Sequence, residues 1–279
     1  MTHTNSLFLY FLILLISLIS FINPAKAGNE NYSLGARSAG IANASVCLTD
    51  IWAVHHNQAA MADLKDIEAA IFYENKFLVK ELGLKAVAFV LPTKGGVFGF
   101  SLSQFGYQLY KESKVGLAYS KKFGDILSAG VQMDYLNTYI AEGYGSKGDF
   151  AAEAGLRAKL TKGLYIGFHA YNFNRAKLAD YNNEHIPVIF RLGLQYSFSD
   201  KVFLAAETEK DIDFKPVFKT GIEYHAVKQV YFRIGIATNP LMNTFGFGMD
   251  FNRIRVDLAA SMDPVLGVSS QVAVIGHFK

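Results

Sequence analysis

Cysteine is almost missing: Cys47 stands alone in 279 residues, so the chain forms no internal disulfide. Long apolar runs are missing too. Beyond residue 22 no stretch reaches the roughly 18 apolar residues that a transmembrane helix needs. A dominant charge is missing: the net charge is +3 with no Lys/Arg cluster, so no nucleic acid is expected as a partner. Hydrolase and metalloprotease signatures (G-x-S-x-G, H-E-x-x-H) are absent. His55 and His56 are adjacent, so their rings diverge on a regular element, and without a third ligand they make no zinc site. Residues Gly143 to Gly148 fit G-x-G-x-x-G, but a dinucleotide site needs a helix next and a second βαβ unit. The residues that follow alternate instead. No catalytic residue, cofactor or metal is expected, and the chain reads as a non-enzyme.

What the chain has in quantity is alternation. In Pro187–Phe198, Val188, Phe190, Leu192, Leu194, Tyr196 and Phe198 form one row and Ile189, Arg191, Gly193, Gln195 and Ser197 the other. A period of two over a dozen residues is a β-strand with one apolar face. Its length suits a tilted strand crossing a bilayer better than a strand of a soluble domain. The composition agrees: 51% of residues are hydrophobic, spread in alternation rather than gathered in blocks.

At the start, Leu7–Ile22 is an apolar core followed by Pro24 and Ala25-Lys26-Ala27, a small-x-small cleavage pattern. Residues 1–27 are therefore expected to be a signal peptide, although no Lys or Arg precedes the core. The alternative, a retained N-terminal anchor, is disfavoured by Pro24 and the Ala-x-Ala.

From residue 67 to the end the sequence divides into fourteen strands: 67–77, 81–91, 96–105, 113–122, 126–140, 148–160, 163–173, 186–198, 201–210, 215–226, 229–237, 243–251, 254–262 and 267–278. Twelve or sixteen also fit once strand ends shift by a few residues. Short links follow the even-numbered strands, among them Thr161-Lys162, Ser199-Asp200 and Val227-Lys228. The other connections are longer or richer in Gly and charge, such as 141–147, 174–185 and 211–214. That parity is the mark of an antiparallel transmembrane β-barrel, with the short turns on the periplasmic side. Outer-membrane lipid is then the immediate surrounding. The alternating C-terminus, with Phe278 near its end, resembles the assembly signal of such barrels.

In several strands one row carries the charge. An Arg or Lys facing lipid at mid-plane costs about 2–4 kcal/mol, so those rows must face the lumen. This assigns Glu153, Arg157, Arg191, Glu207, Glu223, Arg233, Asp250, Arg255 and Asp257 to the lumen lining. With both signs present, a salt-bridged and occluded interior is favoured over a selective ion path. Tyr73, Tyr107, Tyr110, Tyr139, Tyr144, Tyr165 and Tyr231 fall near strand ends, where an interfacial girdle is expected.

Residues 28–66 break the pattern. From Gly35 to Leu64 the chain is dense in Ala, Gly and Ser, as a segment threaded into a confined space requires. Asp50–Asn57 reads as an irregular connection and Gln58–Leu64 as one or two helical turns. Gly35, Ala36, Arg37, Ala39, Gly40, Asn43 and Ala44, followed by Asp50, Trp52, Ala53, Asn57 and Ala59, resemble the start of the PorV/PorQ group of FadL-like outer-membrane barrels. Two positions depart from that pattern: Gln58, where the group has Pro, and Met61, where Gly is common. The resemblance implies an N-terminal hatch inside the barrel, containing Gly35, Arg37, Gly40, Asn43, Asp50, Trp52 and Asn57. It also implies an accessory role in type IX protein secretion, with secretion-machinery proteins as partners. The wider FadL-like likeness implies instead the passage of hydrophobic small molecules through a gated barrel. A purely structural membrane protein is the third reading. The scarcity of long outer loops favours the partner-binding role.

Overall fold

The computed structural model describes residues 31–177 and 186–278. The expected signal peptide and most of the 174–185 loop lie outside the described residues. Fourteen antiparallel strands close into one barrel, each paired with its sequence neighbours, and β1 pairs with β14 to complete the ring. They are β1 (Ile67–Asn75), β2 (Gly83–Pro92), β3 (Val97–Gly106), β4 (Tyr110–Phe123), β5 (Leu127–Ile140), β6 (Gly145–Thr161) and β7 (Leu164–Tyr171). The second half contains β8 (Ile189–Ser199), β9 (Val202–Asp211), β10 (Val217–Val227), β11 (Val230–Ala237), β12 (Met242–Asp250), β13 (Ile254–Asp263) and β14 (Gly267–Phe278). Closure leaves no strand edge unpaired, which is what hydrocarbon demands of a sheet.

The period of two sets the two faces of the wall. In β8, Phe190, Leu192, Leu194 and Tyr196 are exposed while Arg191 and Gly193 are buried. Around the ring, Ile71, Leu117, Val131, Met133, Leu192 and Ile234 are all more than half exposed. A continuous apolar belt of this kind is the lipid-facing wall of a transmembrane barrel. The chain is an outer-membrane β-barrel. Val188 is not part of the belt; it precedes β8 and is buried in the loop.

Connections 93–96, 124–126, 162–163, 200–201, 228–229 and 251–253 lie at one end, which the shortness of the turns marks as periplasmic. At the outer end only 76–82 and 172–188 exceed five residues. The contrast between the ends is thus weaker than the sequence suggested. Strand β6 begins at Gly145 rather than 148, because Gly143 and Gly145 take positive φ (91° and 82°) and turn the chain tightly enough for pairing to resume at once.

Residues 34–64 run inside the barrel as short helices at Ala36–Ala39 and Ala53–His56 and a 3-10 helix at Gln58–Asp63. Asp50–Asn57 is therefore more regular than expected: Asp50 Oδ1 accepts the Trp52 N–H at 2.9 Å and orders the entry to the helical turn. The wall makes room with glycine. A Cβ on Gly130 would lie 2.6 Å from Ala59 N, and one on Gly235 would lie 2.5 Å from Ala42 N.

Three of the expected girdle tyrosines face inward. Tyr231 shares a row with Arg233, and the guanidiniums of Arg255 and Arg233 lie 4.9 and 5.7 Å from its ring centroid. Tyr165 lies 3.9 Å from the Arg157 guanidinium, and Tyr110 hydrogen-bonds Glu112 on its own inward row. Proximity to a strand end suggested the girdle, but the parity of the row decides the face. Tyr73 and Tyr139 do point outward, and Tyr107 and Tyr144 lie in exposed outer loops.

Candidate functional site

The lumen has two unlike sides. On one, Trp52, Val54 and Met61 of the inner segment pack against Ala70, Ala86, Ala88, Ala118 and Ala273. These wall residues belong to β1, β2, β4 and β14, and their contacts with the segment are dispersion alone. On the other side, from β4 round to β13, the segment meets charge.

Three ionic clusters hold it there. In the first, Arg37 Nε and Nη2 each donate to Glu223 at 2.9 Å. Glu223 Oε2 also accepts from Arg233 Nε at 2.6 Å, Arg233 Nη1 lies 2.8 Å from Asp257, and Arg255 Nε lies 2.9 Å from Asp257 Oδ2. In the second, Glu207 Oε2 accepts the backbone N–H groups of Ser45 and Val46, both at 2.8 Å. Arg191 and Lys219 each reach Glu209 at 2.7 Å beside it. In the third, Glu153 binds Lys114 at 2.5 Å, His169 at 2.9 Å and Gln58 Nε2 at 2.6 Å. Arg157 completes the hold, donating to Cys47 O at 2.9 Å and pairing with Asp63.

The remaining residues of the inner segment are placed by backbone geometry and packing. Gly35 has φ 91°, and a Cβ there would lie 2.6 Å from Trp52 Cδ1. Trp52 is buried edge-on to Phe72 at 5.7 Å, so it packs rather than presenting a free face. A Cβ on Gly40 would lie 3.0 Å from Gly246 Cα, Asn43 turns the chain with φ 60°, and Asp50 pairs with Arg37 at 3.4 Å. Asn57 caps the 3-10 helix and donates to Val46 O at 2.7 Å. Asp250 lies at the end of β12, where it accepts the Asn252 N–H at 2.8 Å and shapes the periplasmic turn instead of joining the three clusters.

Lys114, Asp134 (3.3 Å from Lys114), His169, Glu209 and Lys219 belong to the site although the sequence reading did not single them out, and Gln58, noted there only as a departure from the PorV/PorQ pattern, belongs to it as well. The available signal was parity. Lys114 shares a row with Gly116 and Ala118, and His169 shares one with Gly167.

Burial alone would lower the pKa of Arg37, but the Glu223 carboxylate reverses this and holds it above the usual arginine range. Burial pushes the Cys47 thiol up to about 12, so it is an inert packing group. His55 and His56 are driven down by burial, with Lys114 and Arg191 respectively acting in the same direction; His56 falls to about 3. Both imidazoles are therefore neutral, and their Nε2 atoms lie 2.7 and 2.6 Å from Tyr32 O and Leu34 O as donors.

At the outer end a cleft between Tyr32, His55, Phe105 and Lys114 holds about 20 Å³, roughly one water molecule. Lys76 Nζ sits 4.0 Å from the Tyr32 ring centroid at its side. This cleft is far too small for a hydrocarbon.

Solved structures share this architecture. The toluene transporter TbuX of Ralstonia pickettii superposes with TM-score 0.70 at 13% identity, over 88% of this chain and 98% of that one. The toluene transporter TodX of P. putida gives 0.68 at 13%, over 90% and 99%. A Pseudomonas aeruginosa FadL homologue gives 0.66 at 14%, over 91% and 100%. The fold is that of FadL-like transporter barrels. No family model matches the sequence, and no curated protein matches it, so the likeness is one of fold.

Proposed function

We propose that this barrel passes small hydrophobic molecules across the outer membrane, with residues 34–64 acting as a hatch that parts from the wall on its apolar side. The observation that carries the reading is the division of the lumen. The ionic arc anchors the segment through buried hydrogen bonds that cost several kcal/mol to break. The alanine-lined arc has no such anchor and can separate without stranding a charge. The polar groups of that arc, Glu68 and Glu74, are answered by His277 and Gln271 of the wall itself and not by the segment, so an apolar solute beside Trp52 and Met61 would meet mainly the alanines. The fold shared with transporters of toluene supports the same class of cargo. The secretion-accessory role implied by the N-terminal resemblance has no support in these comparisons.

The test is binding and flux with the full chain. Purified protein should bind a fluorescent long-chain fatty acid saturably, with toluene competing, and should speed toluene entry into liposomes. Absence of both saturable binding and flux removes the proposal. Co-purification of secretion components from detergent-solubilised membranes, without either signal, would favour the other role.

A further inference from the structure

Around the outside of the wall, near the periplasmic end, one rung of cross-strand partners runs Phe100, Phe89, Ala69, Gly276 and Ile254. All five lie on lipid-facing rows of β3, β2, β1, β14 and β13. Two small residues side by side between large ones leave a gap over Ala69, narrowed at Gly276 by the Phe278 ring, whose Cζ would lie 3.3 Å from a Cβ there. Ile71 and Val274 bound the gap towards mid-membrane and Phe278 bounds it towards the periplasm. The result is an apolar groove of about 820 Å³ on the lipid side of the wall, with Ala70 and Ala88 behind it. A hollow of this size in contact with hydrocarbon is filled, because its lining would otherwise forfeit its dispersion contacts.

The periplasmic end of the groove points to what fills it. Arg253, in the β12–β13 turn, lines that end and is exposed. Among the described residues it has no ion pair and no side-chain hydrogen bond, whereas the nearby His277 is held 3.2 Å from Glu68. An unpaired guanidinium at headgroup depth, beside a greasy channel, is complementary to one kind of molecule: an acyl chain ending in a phosphate. We propose that this groove is a binding site for a phospholipid of the periplasmic leaflet, with its acyl chain over Ala69 and Gly276 and its phosphate on Arg253. A second copy docked through the same face would bring its own Arg253 to the same depth, setting like charges near each other. A wholly apolar helix would leave Arg253 unanswered. The proposal does not depend on the transport role.

Native mass spectrometry of the detergent-purified full chain tests it, with dioleoylphosphatidylglycerol, dioleoylglycerol and inorganic phosphate as separate probes. Wild type should retain one phosphatidylglycerol. Loss of the phosphate contact, in R253Q or by use of dioleoylglycerol, should weaken retention about tenfold. Ala69→Phe, which fills the floor, should abolish retention, and inorganic phosphate alone should not bind. Heat-modifiable gel migration establishes that both variants are folded barrels. Equal retention by wild type and A69F overturns the site, as does no retention by wild type. A concentration-dependent dimer that A69F disperses also overturns it, in favour of contact between copies.

Discussion

Arg37 and Glu223, 186 positions apart in sequence, meet as a two-pronged pair with both N···O distances 2.9 Å. This pair ties the start of the inner segment to the middle of β10. Removing one partner of such a buried pair leaves the other poorly compensated and typically costs about 3–5 kcal/mol. Arg37→Ala should therefore loosen residues 34–64 while the barrel stays closed. The expected signs are raised conductance in planar bilayers and new protease cuts confined to that segment. Arg37→Lys keeps the charge but loses the fork, so its effect should be intermediate. Unchanged conductance and protection in the Ala variant would show that the pair is not an anchor.

Gly130 lies against the backbone of the inner segment, where an added Cβ would be 2.6 Å from both Ala59 N and Gln58 C. No side-chain rotation relieves a clash with backbone. Gly130→Ala should push the 3-10 helix off the wall and raise leak conductance as Arg37→Ala does. Gly95→Ala, whose Cβ would meet only Thr93 Oγ1 at 3.9 Å, should change nothing.

Ile234 lies on the lipid-facing row of β11 and is 54% exposed. Ile234→Arg should cost about 2–4 kcal/mol in membrane-folded stability, against well under 1 for Ile234→Leu. Urea unfolding in lipid vesicles, followed by the gel shift of the unfolded barrel, measures both. Equal midpoints would mean that this face does not see hydrocarbon.

Trp52 is the only tryptophan in the chain and is buried in the inner segment, so its emission reports on that segment alone. His55 and His56 have folded pKa values below the unfolded value of about 6.5. Their contribution to stability is therefore complete above about pH 6.5 and is lost as the pH falls towards about 3, the value for His56. Acidification across that window should shift Trp52 emission to the red before the barrel unfolds. The double variant His55→Gln, His56→Gln should flatten the response. A response of undiminished size in the double variant would assign it to other groups.

The closed barrel was legible because a lipid-facing wall tolerates charge on one row only, and Arg191, Arg233 and Asp257 declare which row that is. Dividing the alternation at its turns gave fourteen strands, with twelve and sixteen left open, and the parity of the links marked them as a membrane barrel. What could not be read was which charge meets which. Lys114 reaches Glu153 through two intervening strand registers, and Arg37 reaches Glu223 through closure of the whole ring; no local spacing encodes either pair. The inward tyrosines were a different matter. Tyr231 stands two residues from Arg233 and Tyr165 four from His169, so the row rule already placed them in the lumen, against the pull of their positions near strand ends.

The pairing of β1 with β14 has a consequence for assembly. The inner segment precedes β1, and its carbonyls and amides bind side chains of strands made much later, so its hold on the wall is complete only once those strands are in place. A segment that docks before the last seam closes acts as a mandrel for it. Lesions in residues 34–64 should then appear as failures of biogenesis, not only as a leaky finished channel.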